Sequence, residues 1–311
     1  MSIYIYNKGI VNINQENLDF DDIINDYYGR KKKANQIIES AYAHMHSSKT
    51  KRLHECWSHI KIARHKITRE RKLIFANSCK VRLCPCCAWR RSRKYALENK
   101  HMLSDINGKY IFLTVTVRNC TGSELSHTLD IIMNAWKRFY QRKEIKNIML
   151  GSVRNLEITY NSLAKTYHPH MHILIHIAPT YFGADYIKQD TWSAIWQDCA
   201  RLDYTPIVDI RRVKPGTDKT YFEISKYVSK ISDLLSLPGS DLYKVVNVLD
   251  DALTSRRIIG YTGSFRTWRK EHKLKDDIKD AEIISEGSED WEIFCYEWIY
   301  GAAQYKRTES F

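Results

Sequence analysis

Three histidines recur at every second position in the segment HPHMH (168–172). In a β-strand this spacing places His170 and His172 on one face, where their imidazoles can share a divalent ion, and leaves an isoleucine row on the other face. A carboxylate often completes such a site, and Glu157 has a matching position on the preceding predicted strand. Alone, each residue is more often an ordinary polar side chain. The combination predicts one divalent metal ion held by Glu157, His170 and His172.

A second group of potential ligands is the cysteine run CKVRLCPCC (79–87), which follows Cys56. Zinc prefers four soft ligands, and the spacing of Cys84 and Cys87 lets one turn present two thiolates to a single ion. The alternative is a set of buried, reduced thiols without a special role. We predict a structural zinc ion held by four ligands. Cys86 and His54 are alternatives for one of these four. The predicted ligands are Cys56, Cys79, Cys84 and Cys87.

A tyrosine on a predicted helix over 219–236 is the candidate nucleophile. Helical spacing puts Glu223, Tyr227 and Lys230 on one face, with Lys226 beside them. A tyrosine in this setting is usually part of amphipathic packing. Its position directly after the metal-binding strands, next to a carboxylate and two lysines, favours a chemical role instead.

The elements that would position these residues alternate between strands and helices. The predicted strands cover 109–117, 152–160, 169–177 and 206–213, and the predicted helices lie near 125–140 and 192–199. The order β-α-β-β-α-β is that of a ferredoxin-like unit, an antiparallel sheet with helices on one face. We therefore predict the α+β fold class, with the polar strand faces left open for a site.

The charge of the chain indicates a polyanionic partner. The 311 residues carry a formal net charge of +13, with a pI near 9.2. Ten acidic and four basic residues stand in 275–311, a net of −6, so the first 274 residues carry +19. No run reaches roughly 18 apolar residues, and the N-terminus lacks the pattern of a signal peptide. We expect a cytoplasmic protein with reduced cysteines and no membrane partner.

Three blocks of the sequence, in this order, resemble the single-tyrosine replication initiators of small rolling-circle plasmids, within the His-hydrophobic-His (HUH) endonucleases. The blocks are FLTVTVRN (112–119), HPHMHILI (168–175) and EISKYVSK (223–230). The cysteine run and RRSRK (90–94) also resemble the N-terminal block of that family, although Cys86 stands where a residue that is not a ligand is expected. The resemblance extends from about Cys56 to Lys230.

The resemblance implies a domain order and a set of roles. It implies an N-terminal basic zinc-binding module (1–104), an HUH endonuclease domain (105–237) and a helical C-terminal region with an acidic tail (238–311). Tyr227 would attack DNA, Glu223 would activate water, and Lys226 and Lys230 would stabilise charge. The catalytic ion would be Mn²⁺ or Mg²⁺. The residues expected to contact DNA are Arg90, Arg91, Arg93 and Lys94.

The implied activity is nicking of a plasmid double-strand origin, single-stranded at the nick, through a 5′-phosphotyrosine that leaves a 3′-OH primer. A host helicase, a host polymerase and a second copy of the chain are further expected partners. A relaxase or a single-tyrosine transposase would use nearly the same residues. A zinc-bearing nucleic-acid-binding regulator without catalysis would explain the charge and the cysteines, but not the histidine row.

Overall fold

The computed structural model describes residues 19–213, 231–273 and 290–310. The described helices are α1 (Phe20–Ile24), α2 (Arg30–His44), α3 (Thr50–Glu55), α4 (Pro85–Asp105), α5 (Leu125–Phe139), α6 (Lys143–Lys146), α7 (Gln189–Ala200), α8 (Ile231–Leu235), α9 (Gly239–Leu253) and α10 (Gly263–Glu271). A π-helical turn (Asn25–Gly29) and a 3₁₀ turn (Pro179–Phe182) accompany them. The described strands are β1 (His59–His65), β2 (Arg71–Ala76), β3 (Lys109–Thr116), β4 (Met149–Asn161), β5 (Thr166–Ile177), β6 (Val208–Val213), β7 (Ile259–Thr262), β8 (Trp291–Ile299) and β9 (Gln304–Thr308).

The chain divides into two compact units, Met1–Arg90 with Ile278–Phe311, and Arg91–Asp277. The first unit contains an antiparallel sheet in the order β2-β1-β8-β9. Its last two strands come from the C-terminal end of the chain, so the first and last parts of the sequence build one sheet. Among the described residues, no helix has the length and apolar character needed to cross a membrane.

The second unit is built on five antiparallel strands in the order β6-β3-β5-β4-β7. Along the chain its elements follow the order β3, α5, β4, β5, α7, β6, with the short helix α6 before β4. Helices α5 and α7 pack against each other and bury a row that includes Phe139, Trp192 and Trp196. Burying one such side chain contributes about 1.5–3 kcal/mol to folding.

The predicted α+β class is confirmed, since both units combine helices with antiparallel sheets. All four strands and both helices predicted for the second unit are present, within a few residues of their expected bounds. Helix α8 matches the end of the predicted helix over 219–236, while residues 219–230 lie outside the described part of the chain.

The prediction of a helical C-terminal region was wrong for residues 291–308, which form β8 and β9. Strand β8 pairs with β1, from His59↔Glu297 to His65↔Trp291, and β9 pairs with β8. This pairing also explains why the compact units differ from the predicted boundaries at 104 and 237. The first unit takes its last strands from the end of the chain, and its limit falls inside α4.

Candidate metal centres

The histidine centre, defined as Glu157, His170 and His172, lies on the paired strands β4 and β5. The register sets Glu157 opposite His170, and His172 occupies the same face two residues further along β5. Oε2 of Glu157 lies 3.6 Å from Nε2 of His170 and 3.3 Å from Nε2 of His172. One donor atom from each residue fits within a group whose members all lie within 4.8 Å of one another. The structure therefore brings the three predicted ligands together.

The glutamate of this centre is held as a carboxylate. Glu157 is only 4% exposed, and burial alone would favour its neutral form. Contact with the rings of His170 and His172 outweighs burial and holds the pKa of Glu157 well below its ordinary value. An ionised carboxylate between two imidazoles is the state that a divalent cation requires.

A second layer of contacts orients both imidazoles. Nδ1 of His172 lies 3.1 Å from Oγ1 of Thr114, the residue paired with it across β3 and β5. Nδ1 of His170 lies 3.2 Å from the carbonyl oxygen of His168. With Nδ1 engaged in this way, each ring turns Nε2 toward Glu157, as the outer partners of metal-binding histidines do. The sequence interpretation missed the role of Thr114, although alternation in β3 already placed it on the polar face.

The donor set fits a hard or borderline divalent cation. Around an ion with bonds near 2.1 Å, adjacent ligand atoms lie about 3.0–3.4 Å apart. The two separations from Glu157 agree with this range to within a few tenths of an ångström. The set has two nitrogens and one carboxylate, so a divalent ion held by these three donors would have coordination positions left for further oxygen ligands.

Two further histidines of β5 lie outside this group. His168 stacks on His170, with ring centroids 5.2 Å apart, and burial lowers its pKa. His176 packs between Tyr110 and Phe265, and its Nδ1 lies 3.0 Å from Oγ of Ser264. Period-two spacing alone therefore does not identify a ligand, since only two histidines of the row face the carboxylate.

The cysteine centre, defined as Cys56, Cys79, Cys84 and Cys87, lies in the first unit. All four residues are buried. Sγ of Cys56 lies 3.6 Å from Sγ of Cys84 and 3.7 Å from Sγ of Cys87, while Cys79 and Cys87 are 3.6 Å apart. Four sulfurs at 2.3 Å from one zinc ion form a tetrahedron with edges of about 3.8 Å. The spacing of the thiols therefore fits zinc.

The two alternatives for one of the ligands, Cys86 and His54, lie apart from the four sulfurs. Sγ of Cys86 is directed away, 3.4 Å from the carbonyl oxygen of Lys31. His54 stacks on Tyr300, and its Nδ1 lies 2.8 Å from Glu39. Neither residue belongs to the group of four sulfurs within 4.8 Å of one another.

A buried lysine next to the cysteine centre supports a negatively charged cluster. Lys32 is fully buried, and its Nζ donates to the carbonyls of His54 and Cys56, at 2.6 and 2.7 Å. Burial lowers its pKa, while negative charge on Cys86 and Cys56 would oppose that shift. A buried cation is costly unless it is paired, and four thiolates on a divalent ion carry a net charge of −2. Within the group, hydrogen bonds from Cys79 and Cys84 hold the pKa of Cys56 well below its ordinary value, whereas burial raises the pKa of Cys84.

The basic residues predicted to contact DNA differ in exposure. Arg90 and Lys94 are buried, and Lys94 forms an ion pair with Glu98 one helical turn away, at 3.7 Å. Arg91 and Arg93 are half-buried. Helix α4 thus directs part of its cationic row inward, while Arg91 and Arg93 remain partly exposed.

The predicted nucleophile and its neighbours have no structural account. These residues lie in 214–230, outside the described part of the chain. They are Glu223, Lys226, Tyr227 and Lys230.

Comparison with known proteins places the chain in a family. The profile of a family described as "Replication protein" matches residues 70–306. A "Protein rep" of Bacillus amyloliquefaciens is 39% identical over 298 residues, which cover 86% of this chain and 88% of that protein. The chain therefore belongs to the replication proteins, the family of rolling-circle plasmid replication initiators.

Other relatives agree with this placement. A "Protein rep" of a Bacillus species is 40% identical over 262 residues, which cover 77% of this chain and 85% of that protein. A "Protein rep" of Staphylococcus aureus is 33% identical over 215 residues, which cover 67% of this chain and 94% of that protein. No solved structure matches this chain.

Proposed function

We propose that this replication protein initiates rolling-circle replication by nicking one strand of a plasmid origin, with the histidine centre as its catalytic metal site. The observation that carries the proposal is the convergence of Glu157, His170 and His172 on one partly exposed sheet face. A regulator without catalysis has no need for this arrangement.

We further propose that the second unit is a ferredoxin-like HUH endonuclease core. Its elements follow the order β-α-β-β-α-β, and the spatial order β6-β3-β5-β4 sets the first and third strands of that series side by side in the centre. The two central strands carry Thr114, His170 and His172. This support comes from topology, together with the family to which the chain belongs.

The histidine centre would hold Mn²⁺ or Mg²⁺, which when bound neutralises charge on the scissile phosphate and favours in-line attack. Glu157 supplies the anionic ligand, while the imidazoles of His170 and His172 supply neutral nitrogen. Thr114 keeps Nε2 of His172 directed into the site. A relaxase or a transposase with one tyrosine would use the same set, and membership of the replication proteins favours initiation.

Tyr227 is proposed as the nucleophile. Its phenolic oxygen would form a bond to the scissile phosphorus as the bond to the 3′ oxygen breaks, which gives a 5′-phosphotyrosine and a free 3′-OH. The phenol proton leaves to solvent or to a nearby base, and Lys226 or Lys230 would stabilise charge on the phosphate. The 3′-OH would serve a host polymerase, with a host helicase opening the duplex ahead of it and a second copy of the chain as a further candidate partner.

Glu223 is proposed to act at termination. Glu223 stands four residues before Tyr227 in the sequence, and its carboxylate would take a proton from water, so that the second cleavage releases the enzyme by hydrolysis. The cysteine centre would hold Zn²⁺ in a structural role and stabilise the first unit.

The proposal is tested with single-stranded oligonucleotides that tile the replicon carrying the gene, incubated with the full chain and Mn²⁺. We expect one oligonucleotide to be cut and a protein–DNA adduct to appear on a denaturing gel. Tyr227→Phe should abolish the adduct, whereas the matched control Tyr221→Phe should retain it. Adduct formation by Tyr227→Phe would assign the nucleophile elsewhere, and intact DNA with every oligonucleotide would favour the regulator.

A further inference from the structure

Helix α10 is fixed to the sheet of the second unit by its first two residues. Gly263 bridges to Gly151 of β4, with a φ of +53° and the carbonyl oxygen of Leu150 so close that a Cβ atom would not fit. Oγ of Ser264 lies 3.0 Å from Nδ1 of His176 on β5. The start of the helix therefore has a defined position on the sheet.

The inward face of α10 is held by acidic residues of α4. Nε1 of Trp268 donates to Asp105 at 2.9 Å, and Arg269 forms an ion pair with Glu98. Trp268 and Arg269 are both buried. Because a buried cation requires a partner, the charge of Arg269 is used within the fold.

The outward face of α10 carries cations of a different kind. Arg266 and Lys270 are exposed and stand one helical turn apart, and Lys273 is exposed just after the helix ends. In the part of the chain that the structure describes, no carboxylate pairs with any of these three side chains. Glu271 is the one acid of the helix and is also exposed, so the balance of the outward face stays positive.

This face lies a short distance from the histidine centre. Thr262, directly before α10, pairs with Ser152 of β4, five residues from Glu157. A strand rises about 3.3 Å per residue, so the helix begins about 17 Å from Glu157 along the sheet. Duplex DNA spans that distance in about five base pairs. A duplex that continues from a strand held at the histidine centre would come within reach of α10.

We propose that the outward face of α10 binds the phosphate backbone of the DNA duplex that flanks the nick. The proposal rests on the proposed function, which supplies the DNA. Side chains one helical turn apart have Cβ atoms about 5–6 Å from each other, so Arg266 and Lys270 can reach neighbouring phosphates of one strand. The aromatic residues of α10, Phe265 and Trp268, are buried, so the helix offers no exposed ring on which an unpaired base could stack.

Contacts of this kind position a duplex without reading its sequence. They would set the direction in which the duplex leaves the histidine centre, while the nick itself depends on residues elsewhere. The surface is therefore expected to affect binding of duplex DNA, and not cleavage of a short single strand.

The experiment measures binding of a fluorescent duplex of arbitrary sequence to the full chain by anisotropy, over a range of salt concentrations and without added Mn²⁺. Arg266→Gln and Lys270→Gln should each make the slope of log K against log salt less steep by about 0.9. Binding near 0.1 M salt should weaken roughly eightfold in each variant, because one phosphate contact is lost. Circular dichroism melts identify a temperature at which every variant is folded, and binding is compared there.

The controls separate this surface from general charge and from nicking. Lys137→Gln removes an exposed lysine of α5 and should leave the affinity and its salt dependence unchanged. Arg266→Lys keeps the charge and should retain most of the affinity. Tyr227→Phe should bind the duplex normally, and Arg266→Gln should still cut a single-stranded origin oligonucleotide, so failure of this proposal and failure of the nicking function are distinguishable.

Two results would overturn the proposal. One is duplex affinity and salt dependence equal to the wild type in both Arg266→Gln and Lys270→Gln. The other is an equal loss of affinity for the duplex and for a single strand of the same length, which would show that the face does not select a duplex.

Discussion

The two candidate metal centres are built on opposite plans. The cysteine centre has four soft donors, all buried, whose spacing already fits the edges of a zinc tetrahedron. The histidine centre has three harder donors on strands, and the imidazole side chains of His170 and His172 keep 11% and 15% of their exposure. A closed set of four suits a structural ion, whereas an open set of three suits an ion that meets substrate. We therefore propose that the cysteine centre stabilises the fold and that the histidine centre carries the chemistry.

The largest expected effect is loss of the cysteine centre. Cys84→Ser should release the zinc and destabilise the first unit by several kcal/mol, which lowers the melting temperature by roughly 10 °C or more. Calorimetry with metal analysis measures both. The matched control is Cys86→Ser, which changes a buried neighbour outside the centre and should keep the zinc. Equal zinc content in Cys84→Ser and the wild type would remove Cys84 from the centre.

The next largest effect is expected on catalysis and not on the stability of the fold. His170→Ala or His172→Ala should lower Mn²⁺-dependent nicking on the order of a thousandfold, because about 4 kcal/mol of charge stabilisation is lost. The melting temperature should stay close to that of the wild type. His168→Ala, in the same row but outside the centre, is the control and should retain most activity. Full activity in His172→Ala would break the distinction between the two centres.

Replacement of Lys32 tests whether its ammonium compensates negative charge on the cysteine centre. Lys32→Met keeps the volume of the buried side chain but removes the cation that donates to the carbonyl of Cys56. We expect zinc transfer to a chromogenic chelator to be about tenfold faster. Lys31→Met is the control, since the Lys31 ammonium lies over the ring of Tyr27 instead. Identical transfer rates in both variants would mean that Lys32 does not compensate the thiolates.

The smallest effect is expected at Thr114. Thr114→Val removes the hydroxyl that contacts Nδ1 of His172 and should weaken Mn²⁺ binding about tenfold. Thr114→Ser should restore it. Thr116→Val, one position further along this face, loses a bond to the carbonyl of Ile207 and should leave Mn²⁺ affinity unchanged. Nitrogen NMR of the His172 ring shows the tautomer directly. An unaltered tautomer in Thr114→Val would contradict this positioning role.

The sequence predicted those features that depend on local periodicity. Alternation along 152–177 was enough to set Glu157 beside His170 and His172, because the two strands are neighbours in the chain and a short turn joins them. The cysteine ligands followed from a short spacing plus Cys56. The pairing of β8 with β1 could not be predicted in this way, since more than 200 residues separate the strands and local patterns carry no information on distant partners.

Local sequence patterns also could not predict which charged side chains are buried. Arg90 and Lys94 stand in a basic run that resembles a solvent-exposed DNA contact, yet both are buried in the folded chain. Lys32 looks like one of three consecutive lysines, and only the fold brings its ammonium to the backbone of the cysteine centre. Which face of a helix is covered depends on its neighbours, not on its own sequence.

The most direct test of the two-centre account is a count of metals in one preparation. Elemental analysis of protein purified without chelator, followed by Mn²⁺ titration monitored by electron paramagnetic resonance, is carried out on the wild type and His172→Ala. We predict one zinc per chain in both proteins, and one exchangeable Mn²⁺ site in the wild type that is lost in His172→Ala. Wild-type protein without zinc, or Mn²⁺ binding that survives unchanged in His172→Ala, would contradict the account.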